Sequence, residues 1–157
     1  MADFAREINR ILTNYETRAD QGPKNILKEV SRRIINRTPI DFRMEEPDSV
    51  GRARANWLAT VSRRSNRITD KNDAVGGKAP ALFATGPTIV DAEKVIDGMD
   101  ILNRNLSFFL TNNIDYIMPL EYFAHSSQWT AGMRRATIND FDLITRQQTA
   151  ETIRQYS

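Results

Sequence analysis

Along the first 37 residues, apolar side chains recur every three or four positions. Phe4, Ile8, Ile11, Leu12 and Tyr15 form one such stripe, and Ile26, Leu27, Val30, Ile34 and Ile35 form a second. This is the spacing of amphipathic helices with one face turned toward a core. Asp3 stands where its carboxylate can accept from the first free backbone N–H groups. Between the stripes, Asp20-Gln21-Gly22-Pro23 breaks or kinks the pattern, and Pro23 suits the first position of a new helix. The pattern fits two helices or one long bent one. Arg32, Arg33 and Arg37 fall largely outside the second stripe. Pro39 ends the run, because its ring pushes Thr38 out of the helical region.

From Ala53 the period changes to two. Ala53, Ala55, Trp57, Ala59 and Val61 alternate with Arg54, Asn56, Leu58 and Thr60. This predicts a half-buried strand over 53–61 with Trp57 facing the core and Arg52 and Arg54 flanking its start. Phe42 to Val50, polar and containing Pro47, reads as a loop. Residues 62–86 carry Arg63, Arg64, Arg67, Lys71 and Lys78, a Gly76-Gly77 pair and few large apolar side chains before Ala81. That composition predicts a mobile basic loop at about 62–86. A helix then starts near Thr85-Gly86-Pro87-Thr88, buries Ile89, Ala92 and either Val95 or Ile96, and stops at Gly98.

Leu106, Phe108 and Leu110 alternate with Ser107, Phe109 and Thr111, which predicts a second strand. Met99 to Leu102 gives a weaker strand signal, and Asn112-Asn113 a turn. Asp115 to Phe123 reads as a short helix or turn, and 124–131 as a loop. From Gly132 onward, Met133, Thr137, Phe141, Ile144 and Ile153 predict a C-terminal helix. The predicted architecture is α+β. N-terminal helices and a C-terminal helix pack on a small, mainly antiparallel sheet, in a single domain over residues 1–157.

Composition narrows the function classes. A chain of 157 residues buries roughly 70% of its unfolded surface, enough for a core without covalent staples. It has no cysteine, so disulfides and thiol chemistry are excluded. Asp3, Arg6, Glu7 and Arg10 interrupt any signal-peptide pattern, and no apolar run approaches the ~20 residues that span a bilayer. The expectation is a soluble intracellular protein with no membrane partner. The net charge of +2 is small, but its distribution is lopsided. Residues 1–78 carry 16 basic and 11 acidic side chains, and residues 79–157 carry 6 and 9. Such asymmetry can orient a protein against a partner of opposite sign.

The chemistry-bearing residues form no catalytic constellation. His125 has Glu121 four residues upstream, an incomplete metal set. Asp91, Glu93, Asp97 and Asp100 do not share a helix face. Gly76-Gly77-Lys78 lacks the remainder of a phosphate-binding loop, and Ser126-Ser127 beside His125 has adjacency without triad geometry. The expectation is no enzyme, no cofactor and no metal. Arg52, Arg54, Arg63, Arg64 and Arg67 are the strongest positive cluster. They read equally as DNA-phosphate contacts, which are sequence-independent and salt-sensitive, or as solvated and subunit-pairing residues. Trp129, in an exposed-looking loop, is a candidate interface anchor, and Glu121 and Tyr122 join it as candidate subunit or partner contacts.

Two ordered blocks of residues add a resemblance. Thr38-Pro39-Ile40-Asp41 followed by Gly51-Arg52-Ala53-Arg54-Ala55-Asn56-Trp57 is the first. Leu110-Thr111-Asn112-Asn113, Tyr116, Leu120-Glu121-Tyr122, Ser127-Gln128 and Gly132-Met133 make the second. In that order they resemble the tail-completion (neck, or head–tail connector) proteins of long-tailed bacteriophages, a group that includes lambda-type minor tail protein Z. Its members usually read Thr-Pro-Val-Asp-Thr-Gly-Arg-Ala-Arg-Ala-Asn-Trp. The chain departs from that form in its inserted 42–50 segment, in Phe123-Ala124 and in Trp129-Thr130.

The resemblance implies an α+β fold and a virion protein assembled in the host cytoplasm. It implies a homo-oligomeric ring at the head-proximal end of the tail, joining the tail to the DNA-filled head. Its partners would be the tail terminator, head-completion or connector proteins, and genomic DNA passing through the lumen. Two other readings stay open: the tail terminator itself, and a small DNA-binding regulatory protein using the 52–67 basic cluster.

Overall fold

The computed structural model describes residues 2–39, 51–69, 87–102, 105–123 and 131–156, with side chains of the first helix from Ala5 onward. The cap at Asp3, the contacts of Phe4, the loop over 42–50, residues 70–86, His125, Ser126-Ser127 and Trp129 lie outside that set. The architecture is α+β, as the hydrophobic pattern predicts. One helix, α1 (Ala2–Arg37), takes up 36 residues. It is followed by α2 (Arg52–Ala55), β1 (Leu58–Val61), α3 (Pro87–Asp97) and β2 (Phe108–Thr111). Then come α4 (Ile117–Tyr122), α5 (Met133–Asn139) and α6 (Phe141–Gln155).

The N-terminal region is thus one helix, with Gly22-Pro23 inside it. Pro23 forfeits a single backbone hydrogen bond, to the carbonyl four residues back. The helix continues because α6 packs antiparallel along it and ties both sides of the break. Asn25 Nδ2 donates to Thr152 Oγ1 at 3.0 Å. The Arg18 guanidinium donates twice to the Tyr156 carbonyl, at 3.0 and 2.5 Å, capping the C-terminal end of α6. Gly22 lies at this approach, where a Cβ would stand at an ordinary contact distance, 3.9 Å, from Thr152 Cγ2.

β1 and β2 form a two-stranded antiparallel sheet, with Leu58 opposite Thr111 and Val61 opposite Phe108. An isolated pair of short strands is marginal in water, and this pair leans on α1 and α3. Ile35, Ile89 and Ala92 form the centre of the core, with Trp57 and Ala59 packed against them. On α3 the inward residue left open between Val95 and Ile96 is Ile96, which is fully buried. Met99 to Leu102 is not a strand; it is a coil and turn that follows α3.

Three expectations are corrected. The strand predicted over 53–61 begins only at Leu58. Residues 52–55 make a helical turn, entered through Gly51 in the left-handed conformation (φ 76) and closed by Ala55 N–H donating to the Gly51 carbonyl at 2.9 Å. Alanine alternation does not discriminate between the two forms, because alanine is also the best helix former. The single C-terminal helix is two, broken at Asp140. The apolar stripe assigned to it is also redistributed. Met133, Thr137 and Ile144 are buried, but Phe141 and Ile153 stand about half exposed. The buried positions of α6 are Ile144 and Thr152, so half of that seam is polar and invisible to a hydrophobic pattern.

Part of the lopsided charge is consumed inside the molecule. Arg32 of α1 meets Glu93 of α3 at 2.5 Å, and Lys28 meets Asp97 at 2.5 Å. Arg33 and Arg37 both reach Asp140, at 3.2 and 2.5 Å. Basic residues of the first half therefore bind acidic residues of the second, and pin α3 and the α5–α6 corner to α1.

Candidate assembly surface

The first block of the resemblance closes around the C-terminal end of α1. That end leaves backbone carbonyls without helical partners. Arg54 supplies the donors: its Nη2 bonds the Asn36 carbonyl at 2.9 Å and the Thr38 carbonyl at 3.3 Å. Thr38 Oγ1 donates back to the Ile34 carbonyl at 2.9 Å and accepts Trp57 Nε1–H at 2.7 Å. Asn56 clips the following segment, donating to the Thr69 carbonyl at 3.0 Å while its Oδ1 accepts Thr69 N–H at 2.7 Å. Arg54 is 5% exposed and Asn56 1%. Arg54 is thus an internal staple, and the place given it in a surface cationic cluster is withdrawn.

The second block ties to the first. Asn112 Nδ2 donates to the Ala53 carbonyl at 2.7 Å. Asn113 Nδ2 donates to the carbonyls of Ser65 and Arg67, each at 3.0 Å. The start of the basic loop, 62–69, is therefore held to the body along its backbone. Glu121 is a second staple. It is 6% exposed, and its carboxylate accepts the backbone N–H of Arg134 at 2.9 Å and of Arg135 at 3.0 Å. It thereby caps α5 from a different helix, where the dipole favours a negative charge. Gly132 makes the approach possible: its φ is 77, and a Cβ would stand 2.4 Å from the Glu121 carbonyl oxygen. Glu121 is therefore an internal cap, not an interface residue. Tyr122 remains on the surface, 40% exposed, with Arg134 and Arg135 over its ring at 5.8 and 5.3 Å and its hydroxyl accepting from Arg134.

Four of the five arginines remain outside, in two places. Arg52 is exposed on α2. It lies near enough to Tyr116 to oppose the rise that burial gives that phenol's pKa. Arg63, Arg64 and Arg67 are exposed on the 62–69 segment. It leaves β1 through Ser62, a non-glycine residue at φ 69.

Arg64 also borders an open groove of about 380 Å³. Trp57, Leu110 and Met133 contribute to its floor, Met118 and Tyr122 to its rim, and Arg134 stands as a second cation. Hydrophobic periodicity did not predict the groove, because β2, α4 and α5 line it together with Trp57 and Arg64 from far earlier in the chain. Among the described residues, no group of three His, Asp or Glu could hold a metal ion, and no helix is long and apolar enough to cross a membrane. No protein-family model, curated protein or solved structure matches the chain.

Proposed function

We propose that this chain is a virion structural protein of a long-tailed phage, a tail-completion or neck ring subunit that joins the tail to the DNA-filled head. Its work is assembly rather than catalysis. One observation carries the reading. Of the residues behind the resemblance, Arg52, Tyr116 and Tyr122 are exposed, but Thr38, Arg54, Asn56, Trp57, Asn112, Glu121 and Gly132 are the polar staples and close approaches that hold the ends of the helices together. A likeness concentrated in such residues concerns the fold itself, and an assembly protein needs a rigid fold with interfaces on its outside.

Identical subunits would associate head to tail and close as a ring, with the exposed arginines of the 62–69 segment approaching the DNA path. Phosphate contacts of that kind act on any sequence and weaken with salt. They count only when a ring surrounds the duplex, so an isolated subunit binds DNA weakly. The test is electron microscopy of a lysate from a phage lacking this gene. The reading expects filled heads beside unjoined tails; joined, normal virions overturn it. Tight, salt-dependent duplex binding by the dilute protein would instead favour a DNA-binding regulator.

A further inference from the structure

The N-terminal third of α1 is bare. Every residue from Ala5 to Thr13 is exposed, yet this stretch carries an apolar stripe. Ile8 is 40% exposed, Ile11 51%, Leu12 54% and Tyr15 71%. The sequence pattern reads this stripe as core-facing, but no part of the described body covers it. Its positions are i, i+3, i+4 and i+7, the anchor spacing of a helix that docks into a groove. At 3.6 residues per turn, Glu7 and Glu16 each lie about 90° from the stripe's centre, on opposite flanks. By the same geometry Arg6 and Arg10 fall on the back of the helix. Glu7 is already held by Arg10, whose guanidinium donates to its carboxylate at 3.0 and 2.6 Å, so the arm presents an apolar strip with Glu16 as its carboxylate edge.

The groove described above has the complementary form. Trp57, Leu110 and Met133 give it an apolar part beside Thr111, Asn112 and the buried Glu121, whose carboxylate is spent on the α5 cap. Its exposed charges, Arg64 and Arg134, are cations with no ion pair among the described residues. Arm and groove cannot meet within one molecule. Trp57 and α5, which line the groove, are bonded to the C-terminal end of α1 through Thr38 and Arg37. The arm is at the other end of the same rigid helix, roughly 35 Å away at 1.5 Å per residue.

We propose that the arm of one copy seats in the groove of the next: Ile8, Ile11, Leu12 and Tyr15 against Trp57, Met118 and Tyr122, with Glu16 toward Arg64 and Arg134. The contact is heterologous, so repetition gives a ring where the rotation closes and a filament where it does not. A stripe of four side chains buries less than the ~1,200 Å² of a stable pair. A single contact is therefore weak, and closure, in which every copy gives an arm and a groove, supplies the avidity. The proposal provides the subunit joint for the ring reading but rests only on these two surfaces. It assigns Arg64 to the joint and leaves Arg63 and Arg67 for the lumen.

The chain has no cysteine, so single-cysteine variants are clean probes. Ile11→Cys and Met118→Cys proteins, purified separately with different tags, are mixed and treated with a short bis-maleimide. The expected product is a cross-link between the two populations. The proposal is overturned if Ile11→Cys joins chiefly to itself, which means arm against arm. It is also overturned if Ile11→Cys joins chiefly to Leu143→Cys on the exposed α5–α6 corner, or to nothing. Adding Glu16→Arg to the arm population should lower the yield about three- to tenfold, and Arg64→Glu in the groove population should restore it. A yield indifferent to both charges counts against the proposal. A failed cross-link leaves the virion reading standing, and joined virions without the gene leave the docking standing, so the two fail separately.

Discussion

The two ends of α1 carry similar stripes and meet opposite fates. Toward the C-terminus, Ile35 is wholly buried, Arg33 and Arg37 grip Asp140, and Arg54 caps the last carbonyls. Toward the N-terminus, Ile11 is half exposed on a stretch where no residue from Ala5 to Thr13 is covered. Amphipathicity states that a helix has a face to bury; it does not state what buries it. One end is closed by the chain's own staples. The other is a continuous extension whose nucleation has already been met by the anchored part, so it stays helical without tertiary contacts.

That contrast can be broken at several points. Replacing Ile35 with Ala should cost about 3–4 kcal/mol in chemical denaturation, because it opens a cavity at the centre of the core. Gly132→Ala should cost about 3 kcal/mol, since it combines a glycine-only backbone conformation with a collision at the Glu121 carbonyl. Arg54→Met keeps the aliphatic stem and removes the donors. It should cost about 2 kcal/mol by leaving the carbonyls of Asn36 and Thr38 unpaired. Unchanged stability there would mean the staple is not one.

Asp140→Asn is smaller and depends on pH. The Arg37 hydrogen bond, with the charges of Arg37 and Arg33, holds the Asp140 carboxyl below its ordinary value of 3.8, against the opposing effect of desolvation. A depressed native pKa adds stability above that ordinary value, and the gain is lost as pH falls through the native one. The variant should therefore be destabilised at neutral pH, by no more than about 1 kcal/mol because the group is partly solvated. Its deficit should vanish below the native pKa. Last, Ile11→Ala should change monomer stability by less than about 0.5 kcal/mol, although it is the same substitution on the same helix as the first.

Much of the fold was legible in the residues. The stripes of α1 and α3 and the Phe108–Thr111 strand have unambiguous periods, and Gly98 stops α3 where it should. The misreadings have physical causes. Ala53 and Ala55 satisfy a strand and a helical turn alike. Thr152 lines a buried seam without being apolar. Arg54 and Glu121 looked like surface charges because charged residues are seldom buried. What buries them is a set of orphaned helix ends, and these come from elements distant in the chain. Gly132 followed by Met133 was a local sign that something approaches closely there, but not that the approaching group is Glu121. The groove had no sequence signal, whereas the arm that fits it was visible and was assigned to the core.

The most direct measurement is hydrogen exchange along α1 at low and high protein concentration. The account predicts near-global protection over residues 24–37 at both concentrations. It predicts fast exchange over 8–16 in dilute solution that slows as copies begin to share arms and grooves. Uniform protection along the whole helix in the dilute monomer would contradict it, because the N-terminal end would then be covered by the chain itself.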